Sequence, residues 1–113
     1  MRVSRRKERM TSLVRDEVAQ FIERHAALPQ GAFATVTHVA VNDAESQVKV
    51  FLSLFPAEHI GAFMREMHAV ESQFNARLKE ILRTKKLPVA KFIFDNEWLK
   101  SVELENAPKK DEN

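Results

Sequence analysis

An α+β sandwich, a three-stranded mixed sheet with helices on one face, is the fold class this sequence predicts. Three observations carry it. Apolar residues recur at helical spacing in two long stretches, one near the amino terminus and one from 56 onward. Between them lie β-branched and alternating segments separated by turn formers. After the second helical stretch, Lys85-Lys86-Leu87-Pro88 announces a last strand over 89–94.

In chain order, the first helix is predicted from Ser4 or Arg5 to Arg24 or His25. Met10, Leu13, Val14, Val18, Phe21 and Ile22 form its apolar stripe. Leu28-Pro29-Gln30-Gly31 supplies turn chemistry. Residues 33–41 are rich in β-branched side chains, which predicts a strand partly covered on both faces. A hairpin loop follows over 42–46. In 47–54, Val48, Val50, Leu52 and Leu54 alternate with Gln47, Lys49, Phe51 and Ser53, the clearest strand pattern in the chain.

The second helical stretch is the organising one. Ile60, Phe63, Met67, Val70, Phe74, Leu78 and Ile81 share one face, Pro56 suits a first turn, and Pro88 is expected to end the helix. Some thirty residues at roughly 1.5 Å each would reach about 45 Å, against a radius of gyration of roughly 13 Å for a chain of this size. A straight helix would overhang its domain. A break is therefore expected between His68 and Gln73, with Ser72 as the weak point because its hydroxyl competes for backbone hydrogen bonds. The last strand, reached by a helical crossover, should lie parallel to an earlier one. Trp98, Leu99 and Val102 have the spacing of one helical turn, and the polar residues 106–113 are expected to be a disordered tail on a single domain spanning 1–105.

The 113 residues are 44% apolar with eight phenylalanines, which suits one folded core. No apolar run approaches the roughly eighteen residues of a membrane span, and no secretory signal core opens the chain, so a cytoplasmic protein is expected. Zero cysteines exclude disulfides and thiolate chemistry. The formal charge of +2 conceals polarity. Residues 1–15 carry Arg2, Arg5, Arg6, Lys7, Arg9 and Arg15 against Glu8, and residues 77–91 carry Arg77, Lys79, Arg83, Lys85, Lys86 and Lys91 against Glu80. The rest of the chain is strongly acidic. A polyanion is a natural partner for the basic blocks, provided the fold unites them; a solvated helix face accounts for either block alone.

Catalytic patterns are missing. His25, His38, His59 and His68 form no i, i+4 ligand pair. No Gly-x-Ser-x-Gly elbow is present, and two glycines, Gly31 and Gly61, cannot build a phosphate-cradling loop. No enzyme, no cofactor, no metal and no small-molecule substrate are expected. Phe74, Phe92 and Phe94 neighbour the basic residues and could stack bases, yet their spacing favours the core.

Taken together, several short motifs resemble one family. Arg6-x-x-Arg9 enters the first helix, Phe33-Ala-Thr-Val-Thr-His-Val39 and Gln47-Val-Lys-Val-Phe-Leu-Ser53 are similar to that family's first two strands, and Lys85-Lys-Leu-Pro88-x-x-x-Phe92-x-Phe94-Asp95-Asn96 is similar to its third. The family is ribosome-binding factor A, and the resemblance covers residues 4 to about 102. It implies a KH-like (type II) α-β-β-α(kinked)-β fold. It also implies a non-catalytic role in maturing the small ribosomal subunit and its 16S rRNA; nothing in the sequence demands more than a monomer. The family's Ala-x-Gly kink motif corresponds to Val70-Glu71-Ser72, without the glycine, and a basic residue expected shortly after it is Asn75. The RNA contacts expected are Arg5, Arg6, Arg9, Arg77, Arg83, Lys85 and Lys86. The rival expectation is a small protein-interaction module whose basic residues are merely solvated.

Overall fold

The computed structural model describes residues 5–82 and 88–97. Helix α1 spans Arg5–His25 and buries Met10, Val14, Val18, Phe21 and Ile22 along the predicted stripe. Gly31 then turns the chain at a φ of 85°, in the left-handed region where a Cβ would be strained. Strand β1, Phe33–Val41, pairs antiparallel with β2, Gln47–Phe55. Asn42 shapes the hairpin between them: its side-chain oxygen accepts from the backbone N–H groups of Ser46 and Gln47.

Strand β2 runs one residue past its expected end, to Phe55, whose ring meets Phe33 across the pair at 5.8 Å. The helix expected at Pro56 starts later. Pro56 has a ψ of 153° and so prolongs the extended backbone. One 3-10 turn, Ala57–His59, intervenes before α2, Ile60–Ala69. The break falls at Val70, and α3, Glu71–Ile81, resumes at once. Ser72, the expected weak point, is exposed within α3. Val70 takes φ −107° and ψ 12°, and its N–H bonds back to Met67 O at 3.2 Å, closing the first helix with a tighter turn.

The other end of this stretch also departs from expectation. The helix stops at Ile81, well short of Pro88, because Leu82 turns extended at ψ 112° and drives its side chain into the core. Strand β3, Val89–Phe94, then pairs parallel with β2, giving the order β1-β2-β3. A helical crossover to a parallel neighbour is what the connection length requires.

All helices cover one face. Val48, Val50, Leu52 and Leu54 of β2 point into a core shared with Val14 and Val18 of α1, Met67 of α2, and Phe74 and Leu78 of α3. Phe74 lies edge-on to Phe21 at 5.2 Å and 5.3 Å from Phe92, so these rings are core. Phe94 is half-buried at its rim. Among the described residues no helix is long and apolar enough to cross a membrane. The segment containing Trp98, Leu99, Val102 and the polar tail lies outside the described residues.

Candidate nucleic-acid interface

The first basic block stands on the first turns of α1, and helix packing decides what it meets. The first turns of α1 lie against the hairpin loop, where Arg6 pairs with Glu45 at 3.1 Å and Lys7 with Asp43 at 3.2 Å. These are surface pairs of small energetic value. The last residue of the second basic helix's path, Leu82, is brought to the same place. Arg6, Arg9, Met10 and Leu13 join Leu82 around a hollow of about 160 Å³. Leu82 is the residue immediately before Arg83 in the sequence.

The expected contacts divide on inspection. Arg5 and Arg9 are exposed at this end, and Arg6 is exposed though paired with Glu45. Arg83, Lys85 and Lys86 lie outside the described residues. Arg77 is committed elsewhere. Its Nε donates to Glu17 at 3.3 Å and one terminal nitrogen to Glu80 at 3.2 Å, and these bonds, Glu17 first, raise its pKa above the usual arginine value. It ties α3 to α1 through two of its five N–H donors.

A second feature, beside the helix break, has no counterpart in the expectations above. His68, Glu71 and Asn75 stand at i, i+3 and i+7, on one helical face. Together they cover the outer edge of β3. The Asn75 amide accepts from Ala90 N–H at 2.8 Å and donates to Ala90 O at 3.1 Å. The Glu71 carboxylate accepts from Phe92 N–H at 2.7 Å, and a His68 ring nitrogen lies 2.9 Å from Phe92 O. Three side chains act here as a surrogate strand. Asn75, standing where a basic RNA contact was expected, is engaged by this edge and by Glu71 O of its own helix at 3.1 Å. A loop that clamps nucleotides is built on glycines, and the break has none.

Elsewhere the chemistry is sparse. A groove of about 580 Å³ between α1 and β1 holds Arg15 and Glu23 as its ionisable groups, and Arg15 donates to Val36 O at 3.0 Å. Among the described residues no set of three His, Cys, Asp or Glu side chains is placed to hold a metal ion.

The ribosome-binding factor A family model matches residues 6–107. The chain belongs to the ribosome-binding factor A family. It is 26% identical over 111 residues to the ribosome-binding factor A of Coprothermobacter proteolyticus, covering 95% of this chain and 81% of the relative. The fold matches the crystal structure of ribosome-binding factor A from Thermus thermophilus with a TM-score of 0.61, at 21% identity, covering 78% of this chain and 93% of the other. It also matches a homology model of the Thermus thermophilus factor fitted into a cryo-EM map of a 30S complex, with a TM-score of 0.56 at 25% identity, covering 73% and 87% of the two chains. The family's shared α+β architecture is therefore present here with its break held by polar side chains.

Proposed function

We propose that this protein is a non-catalytic assembly factor that binds the immature small ribosomal subunit through phosphates of 16S rRNA. The exposed arginines on the first turns of α1, with Arg6 and Arg9 lining a hollow beside Leu82, carry this assignment. Cations gathered on one end meet folded RNA as a set of phosphate contacts, which supply affinity and orientation without reading sequence. Arg5, Arg6 and Arg9 supply one side and Arg83, Lys85 and Lys86 the other; Arg77 acts as a brace between helices. The protein works as a cytoplasmic monomer and needs no cofactor. The family membership supports the same partner, since a family member has been fitted into a 30S complex.

Co-sedimentation with mature and immature small subunits at two salt concentrations tests it. Binding that favours immature particles and falls steeply with salt is the expected result. Failure to sediment at low salt overturns the proposal.

A further inference from the structure

We propose that the exposed half of the sheet's helix-free face is a second nucleic-acid surface, built for single-stranded RNA. This takes its partner class from the function proposed above and adds a surface on the sheet face opposite the helices that carry the α1 contacts. Strand alternation sends Val48, Val50 and Leu52 to the core, so their neighbours point the opposite way. Lys49 of β2 stands in register with Lys91 of β3, and both are exposed. One step along, Phe51 is opposite His38 of β1, their rings 5.7 Å apart, with His38 exposed. Farther along the same side, Ser53 is fully buried, so the accessible area is the half nearest the hairpin.

Like charges directly opposite each other on neighbouring strands destabilise a sheet. Among the described residues neither lysine has an ion pair to offset this; Asp43 and Glu45 of the hairpin are turned to Lys7 and Arg6. Asp95 lies toward the far end, where it accepts from the Thr37 hydroxyl. Two uncompensated cations beside an accessible aromatic pair are the two parts of a single-strand platform, phosphate contact and base stacking. Duplex RNA keeps its bases stacked within the helix and would leave the rings unused. An acidic polypeptide would satisfy the lysines but gain nothing from the rings.

The test uses backbone amide shift mapping with an unstructured oligouridine of about ten nucleotides, within the site sizes usual for such platforms. Shifts are expected at His38, Lys49, Phe51, Val89 and Lys91. The Lys49→Gln/Lys91→Gln protein should bind the oligonucleotide roughly three- to tenfold more weakly, with a salt slope shallower by about 0.7 per lysine, and should melt no lower than the parent. Shifts confined to α1, unchanged affinity in the double variant, or poly-glutamate binding the face as tightly as RNA would each overturn the proposal. Subunit co-sedimentation of the parent and of an Arg5→Glu/Arg9→Glu variant separates the two ideas. If the parent sediments and that variant does not, the assembly role stands whatever the sheet does. If oligouridine maps to the sheet while the parent ignores subunits, the surface stands and the assembly role falls.

Discussion

Asn75 and Arg77 are two residues whose chemistry the structure redirects. Asn75 looks like the loss of a cation when it is judged from sequence, yet its amide satisfies both backbone groups of Ala90. Asn75→Ala would leave a half-buried donor and acceptor without partners, so we expect a loss of about 1–3 kcal/mol in urea unfolding. Asn75→Lys should be no better, despite restoring the charge. Arg77→Gln should leave the urea midpoint close to that of the parent, since pairs at the surface are screened by solvent, and should leave subunit binding within about twofold. Arg5→Glu/Arg9→Glu should abolish that binding while the circular dichroism stays native. A sequence shows a residue's charge; the partner that claims it, here Glu17 or Ala90, comes from elements 60 or 15 positions away.

Among the elements, strands were more legible than helix ends. The 47–54 alternation and the α1 stripe translate directly into β2 and α1, because period two and period 3.6 are each imposed by burial on one side. Helix boundaries are decided by single ψ angles, at Pro56, Val70 and Leu82, that no local pattern encodes. The break itself was legible from length alone; backbone chemistry pointed to Ser72, while Val70 lay in the triplet Val70-Glu71-Ser72 that only the family resemblance singled out. Val70 yields because His68, Glu71 and Asn75 hold the chain on either side of it to β3. Ser72→Gly, which restores the family's glycine at an exposed helical site, should therefore destabilise the protein by roughly 0.5 kcal/mol in thermal or urea unfolding and not sharpen the break. Phe74→Ala, which removes the ring that joins α3 to α1 and β3, should cost about 3–5 kcal/mol in the same measurement.

For the whole molecule, two basic blocks were visible in the sequence, but not the antiparallel return of α3 along α1 that brings Leu82 beside Met10 and Leu13. Reversal of Lys85 and Lys86 to Glu should abolish small-subunit binding with a native circular dichroism spectrum; unchanged sedimentation would remove the second block from the interface. The like-charged pair of Lys49 and Lys91 was equally hidden, because register between strands so far apart in the chain is a property of the fold.

The covered edge of β3 also governs how copies of this chain can meet. A sheet grows by adding strands at its open borders, and among the described residues this one has a single open border, along β1. Two copies that paired there would use up each other's border and leave none for a third. Among the described residues, association through the sheets has that one border to use. A chain stripped of Glu71 and Asn75 would regain the second border and, with it, the capacity to polymerise.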